Sequence, residues 1–333
     1  MVSNNIGGDR GGGVSYSTVR DTLIIGNTIR HFGSWISGND EGGGGMYGGV
    51  AIDSRIVNNY APVRNGAGCN ATTLSGCLVS GNIQSGSQIG GFGGAGIYKG
   101  SGTNCIITGN VSSNIARYGG GIEGDDSTYV GCLIASNKAY GSAGGVGLIR
   151  GTCVLRNCVI RDNEATGNMG AIGVYEEPGI VYMYNCLVVG NKGKSASCNR
   201  CVMINCTVVS NRSGGTSSFT NYNTIISGNI PWNVPSLSME SNSFYSCIGS
   251  NAAGTTHVAG RFNVYDVSPG FRDPAAGDYR LGSSLSPCFN AGIIEPWMTN
   301  GVDLDGNRRI RNGNVDMGAY ELWIKNGTLF KAR

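Results

Sequence analysis

The chain is poor in the residues that carry chemistry. Its two histidines, His31 and His257, stand far apart, and no Ser/His/Asp set, nucleotide loop or zinc signature accompanies them. Charged residues make up 14% of the 333, against a usual ~25%. The net charge is +3 and no run of Lys and Arg occurs. The clustered cations that phosphate binding needs are missing, so no nucleic-acid partner is expected. No apolar stretch approaches the ~20 residues of a bilayer-spanning helix, so no membrane span is expected. Met1 leads straight into the polar Val2-Ser3-Asn4-Asn5, which does not read as an export signal. The chain reads as starting inside a repeat array, and truncation at the N-terminus is expected.

Glycine, in contrast, supplies 58 residues, and 40% of the chain is hydrophobic. That apolar content is too high for a disordered glycine-rich linker. Gly, Asn, Ser and Thr mixed with aliphatic residues point to many short strands joined by tight turns.

Internal repeats decide the fold. Cys77-Leu78-Val79-Ser80-Gly81-Asn82 recurs as Cys105 to Asn110, Cys132 to Asn137, Cys158 to Asn163, Cys186 to Asn191 and Cys206 to Asn211. Weaker copies end at Asn27, Asn59, Asn229 and Asn251. The steps between asparagines from Asn82 to Asn191 are 28, 27, 26 and 28, then 20, 18 and 22. Between these copies sits a Gly-aliphatic pair: Gly96-Ile97, Gly121-Ile122, Gly147-Leu148 and Gly173-Val174. Such a period leaves no room for helices. It predicts an all-β fold, a right-handed parallel β-helix of about ten coils, the hand following from strand-crossover chirality. Residues 1–251 would be the repeats. Residues 252–333, where the repeat stops and prolines appear, would be a C-terminal capping region over the open end of the solenoid.

The repeat also assigns directions. Side chains alternate along a strand, so Cys77 and Val79 are placed inside. Leu78, Ile106, Leu133, Val159 and Leu187 then form an outer apolar stripe, with Thr207 at the same position. Asn82, Asn110, Asn137, Asn163, Asn191 and Asn211 are predicted to form an amide ladder, as stacked asparagines do in other stacked-strand structures. Cys77, Cys105, Cys132, Cys158, Cys186, Cys206 and Cys247 would share one inward column. Parallel side chains suit the disulfide torsion poorly, so free buried thiols are expected. Cys198-x-x-Cys201 is either a pair with redox or zinc spacing or two more core cysteines.

The stretch Asp278 to Glu321 contains Asp303-Leu304-Asp305-Gly306-Asn307 and Asp316-Met317-Gly318-Ala319-Tyr320-Glu321. It resembles the C-terminal conserved region of choice-of-anchor Q domain proteins, which are secreted bacterial β-helix proteins. More loosely, the repeats are similar to those of polymorphic outer-membrane proteins, which are autotransported adhesins. Those carry Phe-x-x-Asn where this chain has Val79-x-x-Asn82. Together the resemblances span about 11–321. They imply the β-helix fold and an extracellular or outer cell-surface setting, and they bring no catalytic residues.

Two places could hold a site. After the Gly-aliphatic strands come Tyr98 and Lys99, then Glu123, Asp125 and Asp126, then Arg150, then Tyr175, Glu176 and Glu177. Stacked coils would put them on one outer face, with Lys99, Arg150 and the carboxylates as catalytic candidates and Tyr98 and Tyr175 as binding candidates. If the chain is an enzyme, Glu123, Asp125 and Asp126 should converge on a cation beside Lys99 or Arg150. If it is a rod, the same groups should pair pointwise from coil to coil. Asp303, Asp305 and Asn307 resemble the start of a calcium loop, but position 12 of such a loop would be Asn314 rather than Glu. A turn closed by side-chain-to-backbone bonds is the other reading. No cofactor is expected, calcium being the single candidate. Two functions follow. One is a structural or adhesin-like binding module whose partner is a polysaccharide or cell-surface ligand. The other is a polysaccharide lyase or glycoside hydrolase.

Overall fold

A computed structural model describes residues 1–8, 10–30, 42–62, 65–85, 93–113, 119–234, 243–250 and 261–323. His31, His257 and Asn251 lie outside them. Short apolar pieces alternate with residues that tolerate left-handed backbone, and this alternation winds the chain. The motif strands, from Val2–Ser3 through Leu78–Ser80 to Val264–Tyr265, pair in sequence order into a twelve-stranded sheet. A seven-stranded sheet runs from Ile6–Gly7 to Glu164–Ala165. The third face carries the Gly-aliphatic strands and the strands that follow them. They merge at Cys198–Ile204 into one seven-residue strand. Pairing between coils is parallel throughout these faces, and the whole is a right-handed parallel β-helix. Twelve strands at ~4.8 Å spacing make a rod about 50 Å long. The parallel pairing continues to Tyr265, past the boundary expected at 251.

The interior follows from register. Ile56, Val79, Ile107, Ile134, Ile160, Val188, Val208 and Ile226 occupy one column and are fully buried. Five residues after each motif cysteine comes the asparagine. In Asn137, the backbone N–H and Nδ2 both donate to Asn163 Oδ1 at 3.0 Å, and Nδ2 also donates to Ile107 O at 2.9 Å. Its own Oδ1 accepts from Asn110. The pattern repeats from Asn5 to Asn229, so every rung closes on its neighbours. At the far end, the amide of Asn229 meets Asn233 Oδ1 at 2.9 Å.

The thiols form a second inner column. Cys77, Cys105, Cys132, Cys158, Cys186 and Cys206 are buried and free. Ser54 and Thr224 take the same place in flanking coils. Thr22 N–H donates to Ser54 Oγ at 3.0 Å, as Cys105 N–H does to Cys132 Sγ at 3.4 Å. The neighbouring Cys132 thiol pushes Cys105 up to about 11, and burial raises Cys186, so these are thiols rather than thiolates. Cys247 does not belong to this column. Its register partner is Ile225, which places it outward, while Ser246 fills the inner place and accepts from Thr224 N–H at 3.1 Å. Cys198 and Cys201 are both buried core residues of one strand.

The outer stripe shows what the C-terminal region does. Ile106 is 45% exposed, Leu78, Leu133 and Val159 are half-buried, and Leu187 is 6% exposed. The stripe disappears because the C-terminal segment lies along the side of the solenoid rather than only across its end. Leu187 and Val209 pack with Tyr279, Ala319 and Tyr320. Ile225 and Cys247 pack with Leu281, Cys288, Met317 and Leu322. Thr207 Oγ1 accepts the Ala319 N–H at 2.9 Å. Gly318, at φ 96°, lets this segment sit so close that a Cβ would lie 2.8 Å from Ile225 Cδ1.

Candidate functional site

A second asparagine column holds that segment down. The corner residues before the motif cysteines have φ near +50°: Asn104 52°, Asn157 51°, Asn185 52°, Asn205 52° and Asn223 50°. Asparagine and glycine tolerate this left-handed turn best. The later amides reach outward to the C-terminal backbone. Asn157 Nδ2 donates to Asp303 O at 3.3 Å, Asn185 Nδ2 to Val302 O at 2.6 Å and Asn205 Nδ2 to Asp316 O at 3.2 Å. Asn223 donates to Ile293 O and accepts from Ile293 N–H, both at 2.7 Å. The repeated Asn-Cys dipeptide is the sequence signal for this column.

The charged strip does not converge. Tyr98 is 1% exposed and Glu123 0%. They are register neighbours on one strand ladder, and the Gly93 N–H donates to Glu123 Oε2. Neither is presented to solvent as a stacked outer face would require, because adjoining chain covers this stretch. Lys99 lies over the Tyr98 ring, 5.3 Å from its centroid. Asp125 Oδ1 accepts the N–H groups of Ile149 and Arg150 at 3.0 and 3.1 Å. Burial raises its carboxyl above the ordinary value, opposed by those two N–H groups and by Lys99. Asp126 Oδ1 accepts the Thr152 N–H at 3.0 Å. Arg150 Nε meets Glu176 Oε2 at 2.6 Å, and Arg200 Nη2 meets Glu177 Oε1 at 3.1 Å. Each acid therefore has its own partner one coil away. Tyr175 is 55% exposed on this face.

The Asp303 loop is a turn closed by bonds to the Asp303 carboxylate. Asp303 is fully buried. Its Oδ1 accepts the N–H groups of Asp305 and Asn307 at 3.0 and 2.7 Å. Its Oδ2 accepts the Asn307 amide at 3.2 Å and the Glu321 N–H at 2.8 Å. Asp305 forks onto Arg280 with both contacts at 2.6 Å. Asn307 thus turns a donor toward the carboxylate where a metal ligand would turn an oxygen. Among the described residues, no three His, Cys, Asp or Glu side chains are arranged to hold a metal ion.

The same region buries a charge network that the sequence reading missed. Arg309 is fully buried and bonds Glu321 Oε1 at 2.9 Å, Gly318 O at 3.1 Å and Asp316 O at 3.0 Å. Burial pushes Glu321 up to about 9 against the pull of Arg309. Asp316 accepts from Asn290 and Leu322 N–H, both at 2.6 Å. These groups tie the Asp-Met-Gly-Ala-Tyr-Glu segment to its own loop, and Asp316 and Glu321 line a crevice beside Arg311 and Leu322.

Other aromatic residues of the third face pack with neighbours along the axis. Tyr222 and Phe244 stack at 5.0 Å and 11°, Arg156 lies 4.0 Å over Tyr184, and Arg261 lies 4.8 Å over Phe244.

No family model matches the chain, and no curated protein matches it. The resemblance read from Asp278 to Glu321 has no family match behind it. Among solved structures the chain is similar to pectate lyase Pel9A, at 15% identity over 90% of this chain and 87% of that one, with a TM-score of 0.43.

Proposed function

We propose that this chain is a non-catalytic rod of the cell exterior, an adhesin-like or stalk module that contacts a glycan or another surface partner along its strip of Arg150, Tyr175 and Glu176. The observation that carries this reading is pointwise pairing. Asp125 and Asp126 accept backbone N–H groups of the next coil, while Glu176 and Glu177 each meet an arginine. Exposed pairs of this kind order a surface and contribute ~0–1 kcal/mol each. Buried, protonated thiols fit an oxidising exterior, because thiolate character and access govern oxidation.

A second reading, a polysaccharide lyase or glycoside hydrolase, draws on Asp125. Its raised carboxyl and the nearby Lys99 are the acid and cation that such chemistry would use. One experiment separates the two. The labelled full chain is applied to a glycan array, and the bound glycans are then incubated with it and assayed for new reducing ends and unsaturated products. Retained binding that weakens in Tyr175→Ala, without cleavage, is the expected outcome. Cleavage that disappears in Asp125→Asn establishes the enzyme.

A further inference from the structure

The outer stripe is used over only part of its length. Leu187, Thr207, Ile225 and Cys247 lie under the C-terminal segment. The same register column continues through Val159, Leu133, Ile106 and Leu78 to the exposed Arg55. Ile106 is 45% exposed there. The covered and bare parts meet at a crevice of about 530 Å³ lined by Leu133, Val159, Leu304 and Tyr320. The outward asparagine column also continues, with Asn104 exposed in the left-handed turn at φ 52°.

We infer that the bare half of this stripe docks an extended segment of a partner polypeptide, running along the rod and abutting the end of the chain's own covering segment. Continuity with the existing interface carries the argument. The chain shows what this surface accepts: a backbone that offers carbonyls to corner asparagines and small or apolar side chains to the stripe. Shape selects the occupant. From Arg55 to Leu133 is three coil steps, about 14 Å, and the column is one side chain wide. Four or five extended residues span that length, whereas a folded partner or a second copy needs ~800 Å² on each side. Charge sets the far end: the partner should place a carboxylate over Arg55. The inference is independent of what the charged strip binds.

The test is fluorescence anisotropy of the full chain with a fluorescein-labelled peptide of the sequence of residues 315–322, which is apolar, acidic and already known to lie on this stripe. Saturable binding is expected, weakened about tenfold by Ile106→Asp or by Arg55→Glu, and unchanged by Ile83→Asp on the neighbouring face. Ile106 points outward, so its variant should keep the melting temperature, and Arg55→Glu provides a second reading should it not. Absence of saturable binding, equal binding to Ile106→Asp and Arg55→Glu, or binding of a polysaccharide that Ile106→Asp abolishes would each overturn the proposal.

Discussion

The two asparagine columns run along the same solenoid and behave differently. In the inner one, each amide is spent on the next coil, and Asn82 to Asn211 are at most 1% exposed. In the outer one, the amides at Asn157, Asn185, Asn205 and Asn223 reach across to a segment more than 60 residues away in sequence, from |i−j| = 70 for Ile293 to 146 for Asp303. The residue type is the same; the corner is not. Inside, the amide continues the ladder of the sheet. At the left-handed corner it points out of the coil, where Asn185 and Asn223 still reach Asn157 and Asn205 one coil away at 3.2 and 3.3 Å, and the other bonds go to the segment laid against them. The lesson is that one repeated residue can build the rod and another copy of it can dress the rod.

Breaking the inner column should cost most. Asn137→Ala removes the acceptor of Asn110 and the donor to Ile107 O. Each buried group left unpaired costs ~1–3 kcal/mol, so denaturant unfolding should show a loss at the upper end of that range or beyond. A loss under about 1 kcal/mol would mean that water or neighbouring backbone replaces the rung.

The outer column should give a smaller and more local effect. Asn223→Gly keeps the left-handed turn and removes the two bonds to Ile293 and the 3.3 Å bond to Asn205 Oδ1. A cost of about 1–2 kcal/mol is expected, with faster hydrogen exchange at Ile293, Met317 and Ala319 and unchanged exchange in the inner ladder. Uniformly faster exchange along the whole rod would show that the two columns are not separable. Asn223→Ala should be worse than Asn223→Gly, because alanine also strains the turn.

Much of this contrast was legible in the sequence, and part of it was not. The inner ladder could be read because its asparagines recur at one offset from a cysteine and two apolar residues. Parity could be read because Thr207 interrupts an otherwise apolar column. About ten coils carry the motif, and the motif sheet has twelve strands because Val2–Ser3 and Val264–Tyr265 join it without the full motif. Cys247 was placed inward because cysteine itself was taken as the register mark, whereas Ser246 holds the inner place. Tyr98 and Glu123 were placed on an open face because coil stacking predicts position but not which loops fold over it. The Asp303 turn was ambiguous because metal sites and closed turns use the same residues.

Acidity sharpens the comparison from the other side. Glu321 holds its proton in the folded state up to about 9, against an ordinary 4.5. Between these values the folded chain binds more protons than the unfolded one, so this group's contribution to stability falls as pH rises. The melting temperature should decline from pH 5 toward pH 9, and Glu321→Gln should flatten that decline. An equal slope in the variant would assign the decline to other groups. The inner ladder has no titrating member, so the Asn137→Ala loss should be the same at both ends of the range.

The central claim is that the acids of the strip are satisfied one by one within the rod. The direct measurement is the melting temperature of the full chain with and without millimolar calcium, in wild type and in the Asp125→Asn, Asp126→Asn double variant. Pointwise pairing predicts no calcium shift in either protein. A calcium-dependent rise in the wild type that the double variant loses would show that the carboxylates converge on a cation and would contradict the account.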